Sequence, residues 1–252
     1  MDLENFYQNL KIKKYYLTKM TEKILNKESP REIAEETENL DNETIVNLES
    51  IAKDLKDLLK LHDSEGHIVS SGEMAREITN KLIQKYPKYG EFITAIVDGL
   101  NGSTREWIQL SSHLVLANKD LPQVMEKFWE IYYQFRHPYL GGESDKQAVI
   151  TEAAAIQIFE ILGFSTRQST PAEDESNELR RGADFFANNI PIQVKSKRGK
   201  QTVSVSKNFN QDGSWYLQIN VHRKYGVDLN TGMPSPEIIQ KVKEELIRLG
   251  IL

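Results

Sequence analysis

Apolar residues recur at helical spacing through most of the first half of the chain. Ile45, Leu48, Ala52, Leu55 and Leu59 fall on one stripe of a helix. Before it, Ser29-Pro30-Arg31-Glu32 has capping-box spacing, with Pro at the first helical position. A loop is expected over 62–69. Ser70-Ser71-Gly72-Glu73 then opens a helix carrying Met74, Ile78 and Leu82, which stops by Tyr86-Pro87. Asn101-Gly102-Ser103 breaks the chain, and Ser103 with Glu106 caps the next helix. Leu121-Pro122 starts one more, through Phe128, Trp129, Tyr132, Tyr133 and Phe135. At that spacing the aromatic residues read as core rather than as a base-stacking surface.

The texture changes around His137-Pro138-Tyr139-Leu140-Gly141-Gly142. Ser144 and Gln147 form a capping box for a helix that runs to Leu162 and is ended by Gly163. Val149, Ala153, Ile156 and Phe159 make its apolar stripe, and Glu152 lies within that stripe. A carboxylate there either turns to water at the stripe's edge or is paired, because buried acids are rarely left alone. Strand character follows over 164–169, 183–187, 190–197 and 215–223, with a polar loop over 170–178. Ser235-Pro236-Glu237 caps a last amphipathic helix bearing Ile238, Ile239, Val242, Leu246 and Leu249. The order is helix, three strands, a connector, a strand and a helix. The expected fold class is α/β: a helical part over 1–140, then an α/β domain over 141–252.

Composition narrows the function. Of 252 residues, 39% are hydrophobic and 27% charged, enough for a core and a well-solvated surface. No apolar run approaches the ~20 residues of a membrane span, and Met1-Asp2-Leu3-Glu4 lacks the pattern of a secretory signal. The absence of cysteine excludes disulfides, thiolate zinc sites and cysteine nucleophiles. A cytoplasmic protein with no membrane partner is expected. The net charge of −5 is unevenly spread: residues 179–225 hold nine Lys or Arg against two Asp, which leaves −12 for the remainder. A basic stretch in an acidic chain is either a solvated surface or the electrostatic footprint of a polyanion.

The chemistry concentrates in one hairpin. Asn tolerates positive φ, so Asn188-Asn189 suits a two-residue primed turn. Ala187 then faces Ile190, and Asp184 is expected opposite Gln193, with Lys195 on the same face. Phe185, Ile192 and Val194 point to the other side and supply core. Asp184, the Gln193 amide oxygen and Glu152, aimed from the helix, form a hard oxygen set suited to Mg²⁺, for which Mn²⁺ can substitute. Lys195 then holds an attacking water or offsets charge on the phosphate. The plainer reading of the same residues is a surface ladder in which Asp184 pairs with Lys195 or with an arginine. Tyr216, Gln218, Asn220 and His222 line one polar strand face that either meets solvent or reaches DNA.

This pattern (Asp184, eight intervening residues, then Gln193-Val194-Lys195) resembles the PD-(D/E)XK nuclease superfamily, with Ala183 in place of the usual Pro. The resemblance covers residues 144–224. It implies a restriction-endonuclease-like αβββαβ core with a mixed central sheet. It further implies that Asp184, Gln193 and Glu152 ligate the metal and that Lys195 is the catalytic lysine. A crossover helix is implied within 199–214, although Thr202-Val203-Ser204-Val205-Ser206 alternates like a strand.

The expected function is a Mg²⁺-dependent endonuclease on double-stranded DNA, of the type II restriction kind. It is expected as a homodimer, with a possible DNA methyltransferase encoded separately. Residues 1–140 then grip the duplex or mediate dimerisation, while Arg180, Arg181, Lys197, Arg198, Lys200, Lys207, Arg223 and Lys224 contact phosphates. Two alternatives stand beside it: a structure-specific nuclease of the Holliday-junction or Mrr-like kind, and a non-catalytic DNA-binding module on a nuclease-like fold.

Overall fold

The structure is a computed structural model and describes residues 30–62, 72–102, 104–135, 142–169, 183–197, 203–210, 213–222 and 226–252. The chain divides into two compact units, Met1–Ser50 and Ile51–Leu252. The sheet and the candidate site belong to the second. Seven α-helices and a five-stranded mixed sheet make up the described residues, so the fold is α/β. No helix among them is long and apolar enough to cross a membrane.

Helix α1 spans Pro30–His62 without interruption, so Pro30 and the following apolar stripe belong to one helix rather than two, while the expected cap Ser29 lies outside the described residues. Helix α2 (Gly72–Lys85) ends at the predicted Tyr86-Pro87 stop. A helix without a clear sequence signal of its own, α3 (Gly90–Asn101), follows a single 3₁₀ turn. The next, α4 (Arg105–Ala117), is capped by Thr104, whose side chain accepts from the Trp107 amide. Ser103, the expected cap, lies outside the described residues. The aromatic helix α5 (Pro122–Phe135) buries Phe128, Trp129, Tyr132 and Phe135, as its spacing predicts.

Trp107 fixes the first turn of α4 in this helical layer. Its indole stacks on Tyr132 with ring centroids 5.4 Å apart, and its Nε1 donates to Ala95 O at 2.7 Å. The stack is possible because Gly99 has no side chain: a Cβ there would lie 2.5 Å from the Tyr132 ring and 2.6 Å from Trp107 Nε1.

Helix α6 (Gly142–Ile161) begins two residues before the expected cap, which places Ser144 inside the helix. Its far end matches expectation. Gly163 takes φ +89°, Gly163 N donates to Glu160 O, and Phe164 N donates to Phe159 O, while the Phe159 and Phe164 rings meet at 5.2 Å. That is a Schellman stop with its hydrophobic contact.

The sheet order is β1 (Thr166–Gln168), β2 (Phe185–Ala187), β3 (Ile190–Lys197), β5 (Trp215–His222) and β4 (Val203–Phe209). The predicted turn is present: Asn188 and Asn189 have φ of 47° and 65°, and Ala187 faces Ile190. Strands β3 and β5 are parallel, with Gln193 beside Gln218 and Lys195 beside Asn220.

Among the described residues of 199–214 the expected crossover helix is not found. The segment that was to hold it forms β4, antiparallel to β5. Period-two patterning decided the matter: Val203 and Val205 are buried, while Ser204 and Ser206 face the other way.

One sheet face is apolar. Ile192, Val203, Val205, Leu217, Ile219 and Val221 join Ala154, Ile158 and Phe159 of α6 and Ile238, Val242 and Leu246 of α7 (Pro236–Arg248) in one buried cluster. The opposite face is a polar ladder, in which Gln218 donates to Asn220 and Asn220 to Ser204.

Gly99→Ala is expected to destabilise the protein by about 1–3 kcal/mol, because the added methyl must push apart a packed aromatic stack. Chemical denaturation of the two proteins measures this; equal midpoints contradict the packing account.

Candidate active site

Glu152 sits in the middle of α6 and is 2% exposed. Its neighbours on the helix, Thr151, Ala153 and Ala154, are buried too, so the carboxylate is largely desolvated. The partner that compensates it comes from α4. Arg105 Nη1 donates to Glu152 Oε2 at 2.7 Å. The other guanidinium nitrogen, Nη2, lies 3.0 Å from Asp184 Oδ1 and 3.2 Å from the Asp184 carbonyl. One planar cation thus spans two carboxylates from different elements, the geometry at which Arg excels and Lys does not. Side-chain exposure grades from 3% at Glu152 through 14% at Asp184 to 27% at Arg105, so the arginine lies at the outer edge of the cluster and the glutamate at its innermost point.

Asp184 sits just before β2, and here the geometry departs from the expected ladder. Regular register would set it opposite Gln193 and continue the pairing of Phe185 with Ile192. Instead its amide donates to Ile192 O at 2.8 Å, one residue off that register. Its Oδ2 accepts from the Val194 amide at 2.5 Å. A short carboxylate competes well for nearby backbone donors, and here it takes one from the neighbouring strand. Ser169 Oγ also donates to the Asp184 carbonyl at 3.2 Å. The result fixes the carboxylate against the main chain of β3 between Gln193 and Lys195.

Gln193 is 3% exposed, and its Oε1 is buried with no hydrogen-bond partner. Glu152 Oε1 has no close donor either; the nearby Ser112 hydroxyl favours the charged carboxylate but donates to Val149 O at 3.3 Å. Buried acceptors without donors are rare and destabilising in folded proteins. Two of them, on residues near the Asp184 carboxylate, are open to a hydrogen-bond donor or a cation. Together with Asp184 they provide two carboxylates and an amide oxygen, a donor set that fits a hard divalent cation such as Mg²⁺. Among the described residues no group of three or more His, Asp or Glu side chains is placed to hold a metal, so any such site would depend on the amide as its third protein ligand.

The remaining predicted residues divide. Lys195 is exposed on β3, two residues beyond Gln193 on the same strand face. Lys207 belongs to the opposite face, since it pairs with Leu217 while Ser206 pairs with Gln218. Its ammonium lies 4.1 Å from the centroid of the Trp215 ring. Arg180, Arg181, Arg198, Lys200, Arg223 and Lys224 lie outside the described residues, as does the side chain of Lys197. Of the polar face expected on the last strand, Tyr216, Gln218 and Asn220 are half-buried and His222 is buried.

Sequence reasoning missed Arg105. Its one signal was a cation in the first turn of a helix, where the macrodipole disfavours positive charge. No family model, curated protein or solved structure matches this chain.

Burial pushes the Glu152 carboxyl up to about 7; the Arg105 charge opposes this, and the Asp184 charge reinforces it. A carboxyl raised in the folded state keeps its proton where the unfolded chain has lost it. Its stabilising contribution is therefore full below about 4.5 and is lost as pH rises through about 7. The shift amounts to roughly 3 kcal/mol. In chelator-treated protein, Glu152→Gln is expected to gain stability relative to the unmodified chain as pH rises from 4.5 to 8. Melting temperatures across that range test this; a pH-independent difference contradicts it.

Proposed function

We propose that the protein is a Mg²⁺-dependent endonuclease acting on double-stranded DNA, most like a type II restriction enzyme. The observation that carries this reading is the convergence of Glu152 and Asp184 on one guanidinium, with buried acceptor oxygens that lack a close donor on Glu152 and the adjoining Gln193. The fold supports it in part. A helix, a β-hairpin and a strand parallel to the hairpin's second arm occur in the order the nuclease core requires, with β4 standing where a crossover helix would be.

In this reading Glu152, Asp184 and Gln193 hold the cation through oxygen. When bound, Mg²⁺ acidifies a coordinated water and neutralises charge on the phosphate. Asp184 is kept in place by the Val194 amide, so the ligand needs little reorganisation on binding. Lys195, exposed beside the pocket, donates to the attacking water or to a non-bridging phosphate oxygen. The Lys and Arg residues of 179–225 other than Lys207 would add phosphate contacts, and double-strand cutting calls for two such sites, hence a homodimer. The non-catalytic alternative draws on the same pocket, since a cation from the chain itself already pairs both acids.

Incubation with Mg²⁺ and long linear duplex DNA is expected to give discrete fragments. Asp184→Asn and Lys195→Ala should each lower the cleavage rate at least about a hundredfold while remaining folded. Lys207→Ala, on the far face of the sheet, should stay within about twofold of the unmodified rate. Cutting confined to branched DNA moves the assignment to the structure-specific nuclease. Binding without cleavage by the unmodified chain moves it to the non-catalytic module.

A further inference from the structure

We propose that Arg105 is a built-in counter-ion for the metal pocket: its guanidinium holds the two acids together when no divalent cation is bound, and metal entry displaces it toward the phosphate. The inference rests on the metal-site reading above and adds to it a residue and a competition that neither the hairpin motif nor the basic segment contains.

Arg105 binds one oxygen of each carboxylate, Glu152 Oε2 and Asp184 Oδ1, with the Asp184 carbonyl as a third acceptor. A guanidinium and a divalent cation make the same demand on these groups, namely ionised carboxylate oxygens turned inward. Both cannot be satisfied in full at once. Each acid has a second oxygen, but these differ: Asp184 Oδ2 is engaged by the Val194 amide, while Glu152 Oε1 has no close donor and only the Ser112 hydroxyl nearby. The arginine thus leaves the deepest acceptor of the pocket unserved, and Gln193 Oε1 likewise. A small cation reaching those atoms would gain contacts that the planar fork does not make.

The placement of Arg105 also suits a side chain that moves. It is the first residue of α4, and its own side chain is 27% exposed, so the guanidinium can swing outward without unpacking the core. The helix beneath it does not move with it, because Trp107 is locked under Tyr132 and bonded to Ala95. Once released, the guanidinium stands at the pocket mouth, where a phosphate oxygen could replace the lost carboxylate. In the metal-free state the same residue spares the fold a buried, unpaired carboxylate, which would otherwise be strongly destabilising.

The test is calorimetric titration of Mg²⁺ into the full chain at pH 8.5, without DNA, for the unmodified protein, Arg105→Met and Arg105→Lys, each with and without Asp184→Asn. Removing the competitor should tighten Asp184-dependent Mg²⁺ binding about tenfold in Arg105→Met, with Arg105→Lys between. Equal or weaker Asp184-dependent binding in a folded Arg105→Met overturns the inference and leaves the metal site standing. No Asp184-dependent binding in any background overturns the metal site itself. A second readout does not depend on the methionine variant folding. The Arg105 Nε–H resonance of the unmodified protein, assigned by its loss in Arg105→Lys, should shift at saturating Mg²⁺. A resonance that stays in place refutes displacement.

Discussion

A carboxylate buried on the inner face of a helix must be neutralised, and the candidate site is arranged around that requirement. Glu152 is 2% exposed amid the apolar stripe of α6, and desolvation of an ionised acid in such a place is severe unless a partner is supplied. Arg105 supplies it, and in reaching Glu152 it also ties down Asp184. Two layers of the fold are thereby joined through one guanidinium, the helical layer at the start of α4 and the sheet at the start of β2. The stacking of Trp107 on Tyr132, permitted by Gly99, sets the turn from which that guanidinium reaches out. The aromatic core of the helices is in this sense part of the site's support.

Neutralisation by arginine is incomplete, and the remainder is what gives the pocket a chemical direction. Oxygen atoms of Glu152 and Gln193 stay buried without donors, and burial holds the glutamate near pH 7. A fold that needed only a structural ion pair would be more stable with these acceptors satisfied or replaced by apolar groups. On the proposed reading, keeping them suits a site that receives a compact cation, with Lys195 exposed on β3 toward an anionic substrate.

Much of this was legible in the residues, and the parts that were not have physical reasons. The Asn188-Asn189 turn, its register, the Gly163 stop and the burial of the α5 aromatics follow from local conformational preference and periodicity, which act over a few residues. Glu152 could be singled out because an acid in an apolar stripe demands an explanation. Its partner could not, since Arg105 lies 47 positions away and nothing in the neighbouring sequence encodes the contact. The plainer expectation, that Asp184 pairs with Lys195 or with an arginine, included the observed residue type without its position. Asp184 also leaves the regular ladder, because a side-chain bond to the Val194 amide replaces strand pairing, and such competition has no periodic signature. In the segment before β5, the alternation of Val and Ser was the better guide than the helix implied by resemblance.

The most direct test of the central claim is a crystal structure of the chain grown with Mn²⁺, read by anomalous scattering. The account predicts a peak bounded by Glu152, Asp184 and Gln193, with the Arg105 guanidinium withdrawn from Glu152. Density showing Arg105 still bridging both acids, with no anomalous peak in the pocket at saturating Mn²⁺, would contradict it.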